Sequence, residues 1–445
     1  MSGIARLSLE QAPPIDVPFR FFVTAPLFGS LTAILLIGYG PLVLTQRWSP
    51  VTLAATHLLT LGYLTMSIFG AMLQMLPVIG GSPVPRVQWV AWGVHPTLTA
   101  GILLLAGGFI TGNPTLFPLA ATILGIAFSL FIGMVGIALI RVPVGNFTTT
   151  GMRYALLALI VTVGLGITLL LALGGRLGIT YIPLLTNVHL AWGLMGWVGL
   201  LVSSVAYQVV PMFQLTPEYP RSMRRLFSAG LFIILVTWSF AYIVDNHARS
   251  TLLLAAALFL MLLLYAGVTL DIQRRRRRSR QDPTLRYWQI GMLILWPTAI
   301  LWGVTRFSSQ HLQATELMMG ILAIVGVVIS LINGMLLKIF AFLSWFHLQY
   351  RQMKLMRIDI TLPNMKDFIE DRTAWVQQAL HFGALALLLA ACLEPALSRA
   401  AGAAFLAAQI VLLYMLGRAI RLYRHVNRMF LEPPPIPPVP KTNAD

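Results

Sequence analysis

Apolar stretches longer than the ~18 residues that mark a bilayer-crossing helix recur along this chain. From Leu116 to Ile140, for instance, no side chain carries a charge. A soluble core cannot absorb so many such runs. The 445 residues are 58% hydrophobic and 10% charged, against roughly 25% charged in ordinary soluble domains. Strands of a membrane barrel would alternate in polarity with period two, whereas these segments are apolar on every side, so helices are predicted. The single cysteine, Cys392, excludes a disulfide framework and thiolate metal sites. The expected fold class is all-α, a polytopic protein whose first partner is the lipid bilayer.

Twelve spanning helices are predicted, the first six at about 21–44, 51–78, 88–111, 115–140, 151–174 and 183–212. The other six fall at about 224–244, 250–271, 285–305, 310–346, 373–393 and 399–423. The net charge of +17 resembles a nucleic-acid signal until the basic residues are placed. Twenty-five, including the run Arg274 to Arg278, lie at the termini or in even-numbered loops; Arg47, Arg176, Arg249, Arg306 and Arg399 lie on the other side. That bias predicts a bacterial cytoplasmic (inner) membrane with both termini cytoplasmic, and no nucleic-acid partner. The polar N-terminal segment, 1–20, shows no cleavable signal peptide. A basic and apolar loop at 347–371 is expected to lie along the membrane surface. The tail, 424–445, contains a run from Pro433 to Pro438 that predicts polyproline II.

Self-comparison divides the 21–423 membrane domain into three four-helix units, at about 21–140, 151–271 and 285–423. The second segment carries His57, Gly62, Gly70, Gln74 and Pro77; the sixth carries His189, Gly193, Gly196, Gly199, Gln208 and Pro211. The tenth carries Glu316, Gly320, Gly326, Gly334 and Lys338. His57, His189 and Glu316 begin these patterns 132 and 127 residues apart. Each sits about two turns into its helix, which predicts one shared depth some 9–12 Å below the boundary. Ionisable groups at that depth are unfavourable in lipid and are expected to face an interior site.

Imidazole serves equally as a metal ligand and as an interhelical hydrogen-bonding group, and both readings stand for His57 and His189. Glu316 is a third metal ligand, a proton carrier or a carboxylate paired with a histidine. His95 and His381 form a second tier of candidates, with Lys338, Tyr207, Gln208 and Gln74. The glycines beside these residues either open space for a flat macrocycle or let helices pack closely. The scattered methionines read as apolar filler rather than a copper relay.

Twelve helices, threefold pseudo-symmetry and histidines on the second and sixth segments resemble subunit I of the heme–copper oxidases. In that family the second-helix histidine holds a low-spin heme and the sixth-helix histidine holds copper, which implies those roles for His57 and His189. The family's tenth-helix His-x-His pair has no counterpart between Leu317 and Phe346, so a full binuclear centre is not expected. Phe19-Arg20-Phe21-Phe22 and the pattern from His57 to Pro77 are similar to the divergent NnrS family, whose first second-helix histidine falls at Ala55 here. The resemblance implies heme b, with copper as a further cofactor, and a role in nitric oxide response or electron transfer. It also implies nitric oxide as a small gaseous ligand and a redox partner or quinol as electron donor. The competing readings are a copper or small-solute transporter or metal-delivery protein and, less favoured, an active oxidase or nitric oxide reductase subunit.

Overall fold

The computed structural model describes residues 11–143, 145–307 and 313–432. The first ten residues of the N-terminal segment, His311 and the tail's proline run lie outside that description. Among the described residues there is no strand, and twelve helices are long and apolar enough to cross a membrane. They are α1 (Asp16–Leu44), α2 (Pro50–Gly80), α3 (Val87–Thr111), α4 (Leu116–Arg141), α5 (Phe147–Leu173) and α6 (Ile182–Gln214). The chain continues through α7 (Arg221–Val244), α8 (Arg249–Arg274), α9 (Pro283–Arg306), α10 (Ala314–Leu355), α11 (Asp371–Ala391) and α12 (Pro395–Met429).

Local chemistry sets the helix ends. Asn146 caps α5, its Oδ1 accepting from the backbone N–H of Thr148 (3.0 Å) and Thr149 (3.3 Å), which satisfies donors that a helix start leaves free. Proline at the first position opens α2, where its missing N–H removes no bond. α10 stops at Met356, which takes the left-handed conformation (φ 54°) usual for a C-terminal cap. It therefore runs nine residues beyond the predicted edge and makes the first part of 347–371 helical. The rest of that segment holds one short helix, Met365–Phe368, closed by reciprocal bonds between Asn364 and Asp367. Met353, Met356 and Ile358 are exposed along it.

Burial separates the helices into an inner set and an outer set. The central stretches of α2, α10 and α6 are 89%, 72% and 56% buried, and no other span exceeds 50%. These inner helices share a rarer feature. Each contains an eight-residue π-helical segment: Leu58–Thr65 in α2, Trp192–Gly199 in α6 and Leu322–Ile329 in α10. A widened turn weakens the regular backbone ladder, and such segments concentrate at functional sites. Two of them are closed by a hydroxyl reaching five residues back. Thr65 Oγ1 donates to the Thr60 carbonyl (2.9 Å), and Ser330 Oγ to that of Val325 (3.3 Å). α6 has Gly199 at that place, where a Cβ would stand 3.2 Å from the Leu194 carbonyl.

Candidate functional site

The inner helices enclose a cavity of about 840 Å³ that extends outward to α5, α7, α8 and α9. Its volume is that of a small-molecule or cofactor site. The lining is overwhelmingly apolar, with polar groups gathered near the end where α1 and α5 finish and α2, α6 and α10 begin. His57, His189 and Glu316 all line it, so the sequence-predicted trio meets around one space.

The two histidines are held alike. His57 Nδ1 lies 2.7 Å from the Leu53 carbonyl, one turn earlier in α2. His189 Nδ1 lies 3.0 Å from the Thr162 carbonyl of α5. A carbonyl oxygen only accepts, so Nδ1 carries the proton in each ring and Nε2 bears a lone pair. No described residue engages either Nε2. The π–π face of His57 lies near Phe109 of α3, with centroids 5.4 Å apart and planes at 27°. His189 is seated against Gly166 of α5, where a Cβ would come within 3.0 Å of the ring. An imidazole whose far nitrogen donates to a backbone carbonyl is oriented in the manner of a metal ligand.

Glu316 is differently engaged. Its Oε2 lies 3.5 Å from Arg47 Nε, and the pair is partly exposed. Arg47 also donates to Asn187 Oδ1 (2.7 Å) and lies over the Trp48 ring (4.4 Å), while Asn187 Nδ2 donates to Tyr242 Oη (2.7 Å). This chain ties the first loop to α6, α7 and α10 across the cavity mouth, and Arg306 lines the same mouth. Sequence reasoning missed Arg47, Asn187 and Tyr242. The available signal was that Arg47 is one of few basic residues on its side of the chain and Glu316 a rare acid within a span.

Other predicted residues lie elsewhere. His95 Nε2 is 2.8 Å from Thr24 Oγ1; because that hydroxyl donates to the Arg20 carbonyl, the imidazole is the donor and joins α3 to α1. His381 is fully buried against Ser330 of α10 (2.9 Å). Lys338 pairs with Asp282 at 3.2 Å. Tyr207 packs on Tyr219, neither of them lining the cavity, and its hydroxyl is directed to the Met223 carbonyl. Gln74 and Gln208 line a separate gap of about 20 Å³ between α2, α6 and α10. The glycines divide: Gly193, Gly199 and Gly320 line the cavity, while Gly62, Gly70, Gly196, Gly326 and Gly334 meet side chains of neighbouring helices.

The donor set discriminates between cofactors. Bound metal ions typically draw three or four protein ligands. Among the described residues no three His, Cys, Asp or Glu side chains are grouped to hold one, and Glu316 faces Arg47. A bare copper ion is therefore poorly served. A tetrapyrrole brings four nitrogens and asks the protein for one or two axial imidazoles, which His57 and His189 fit. A scan against protein-family models finds no match for this chain, and a search of curated proteins finds none either.

Proposed function

We propose that this protein is a multi-pass membrane heme protein, an oxidase-subunit-I-like and NnrS-like scaffold that lacks a full binuclear centre. The observation that carries the reading is the pair of imidazoles, each fixed through Nδ1 with its free Nε2 at one large apolar cavity. His57 and His189 would hold the heme through Nε2, the apolar walls would enclose the macrocycle and limit water, and Arg47 and Arg306 would face acidic substituents at the mouth. A heme held there would supply a redox centre, and a small gas such as nitric oxide would bind in place of one of the two imidazoles, in keeping with nitric oxide response or electron transfer.

The π-helical segments support the three-unit organisation. They begin 134 and 130 residues apart, close to the spacing of the repeated sequence patterns. His57, His189 and Glu316 precede their segments by one, three and six residues, so the repeat carries the helices more faithfully than the ligands. The distribution of arginines supports termini on the cytoplasmic side of a bacterial inner membrane.

The test is a reduced-minus-oxidised visible spectrum with heme and metal analysis of protein purified after expression with ample heme. Near-stoichiometric heme in the wild type, lost in His57→Ala or His189→Ala, is the expected result. Absence of heme from the wild type and from hemin-reconstituted protein overturns the proposal. Copper without heme would shift the reading to metal delivery or transport.

A further inference from the structure

Beneath the cavity, away from its mouth, four helices place six uncharged polar side chains against one another. They are Tyr63 of α2, Tyr287 of α9, Ser330 and Asn333 of α10, and Gln377 and His381 of α11. Ser330, Asn333, Gln377 and His381 are fully buried, as are both tyrosines. Tyr63 Oη donates to Asn333 Oδ1 at 2.5 Å, and Tyr287 Oη donates to Gln377 Oε1 at 2.6 Å. Tyr287 packs edge-on against the His381 ring, centroids 5.5 Å apart. Its close approach to α10 is allowed by Gly334, where a Cβ would stand 2.8 Å from the Tyr287 Cβ.

The protons can be assigned from the partners. Ser330 uses its single hydroxyl proton on the Val325 carbonyl, so it accepts from His381 Nε2 at 2.9 Å. His381 Nδ1 is then a bare acceptor. Because the tyrosines donate to the amide oxygens of Asn333 and Gln377, the amide nitrogens are left as donors. Asn333 Nδ2, Gln377 Nε2 and His381 Nδ1 all lack a partner although buried. Native interiors carry few such groups, and each calls for an explanation. Here they occur in one cluster, on residues a single helical turn apart (Gln377 and His381) or joined through the tyrosines. Two amide donors and one acceptor left open in one cluster are groups that water satisfies and an apolar group does not.

A partly exposed ion pair lies beyond the cluster. Five residues beyond Asn333, about 7.5 Å along α10, Lys338 pairs with Asp282. Asp282 also accepts from the Leu285 backbone N–H at the start of α9 (2.9 Å), and the Lys338 side chain is 30% exposed. The pair thus lies between solvent at the basic end of the bundle and the buried amides. We infer that the unpartnered amides of Asn333 and Gln377 and the imidazole of His381, beside Tyr63 and Tyr287, bind ordered water that exchanges with the basic end beside Lys338 and Asp282. The site is separate from the two cavity histidines, and it holds whether or not the cavity binds heme.

X-ray hydroxyl-radical footprinting of the full-length protein in lipid nanodiscs, read by mass spectrometry after a rapid shift into ¹⁸O-water, tests this directly. The internal reference is the Phe69–Phe131 stack, fully buried with centroids 3.4 Å apart. After correction for intrinsic reactivity, Tyr63 and Tyr287 are expected to be oxidised several-fold faster than Phe69 and Phe131, with ¹⁸O in the product. Asn333→Leu should lower both rates several-fold. Wild-type tyrosine rates no higher than those of the phenylalanine pair overturn the water site, whatever the variant does. Fast oxidation without ¹⁸O overturns the exchange route.

Discussion

The cavity end and the basic end of this bundle use histidine in opposite ways. At the cavity, His57 and His189 spend Nδ1 on backbone carbonyls and leave Nε2 free. Towards the basic end, His95 and His381 spend Nε2 on hydroxyls of other helices, Thr24 and Ser330. The first arrangement fixes an imidazole while preserving a ligand position; the second turns it into a cross-link. The residue type is the same, and the partner atom decides the role. Charge follows the same division. The cavity mouth has the Arg47–Glu316 pair, whereas the basic end carries Lys338–Asp282, Arg418–Glu370, Lys366–Asp371 and Arg357–Asp359.

The largest effect should separate the two kinds of histidine. Replacing His57 or His189 by alanine is expected to remove most bound heme, while His95→Ala and His381→Ala should keep it. Equal loss of the heme spectrum from all four variants would erase the distinction. Next comes Gly166→Val, which puts a branched side chain where a single Cβ already comes within 3.0 Å of His189. Hemin affinity should fall several-fold with helical content unchanged; an unaltered titration would show that His189 does not depend on that seat. His381→Ala should then act on stability, by about 1–3 kcal/mol for disrupting a buried hydrogen-bonded group. Thermal unfolding in detergent measures it, and an unchanged midpoint would argue against a cross-linking role.

Much of this was legible in the sequence because the bilayer imposes length and polarity. The twelve spans follow from apolar runs, and edges erred where charged helix continues past the membrane, as from His347 to Leu355. His57, His189 and Glu316 were found because ionisable groups within spans are rare. Their roles were not legible, since nothing in the sequence distinguishes an Nδ1 held by a carbonyl from an Nε2 held by serine. The π-helical segments escaped for a related reason. Leu322–Ile329 is uniformly apolar, and the hydroxyl that closes its widened turn, Ser330, lies just beyond it. The Arg47–Glu316 contact joins residues remote in sequence and had no local signal.

The smallest effects concern the ion pairs, and they test whether charge at the two ends is structural or functional. Arg47→Ala should change stability by ~0–1 kcal/mol, as for other partly exposed pairs, yet alter ligand entry if the pair guards the mouth; hemin association measured by stopped flow reads that. At the basic end, the Arg357 guanidinium hydrogen-bonds Asp359 and holds its carboxyl below the usual range. Arg357 also donates to the Glu432 carbonyl (2.6 Å), clipping the loop after α10 to the end of α12. A depressed folded-state pKa means the unfolded loop binds the proton more readily. The clip's contribution is therefore fully present above the unfolded carboxyl value and is lost as pH falls through the folded one. Amide exchange across 356–361, corrected for its intrinsic pH dependence, should stay protected near neutrality and open in acid, while the spans stay protected throughout. Asp359→Asn should remove that pH dependence. Identical protection at neutral and acid pH in the wild type would show that the clip rests on the Glu432 carbonyl, and that charge at this end holds nothing together by itself.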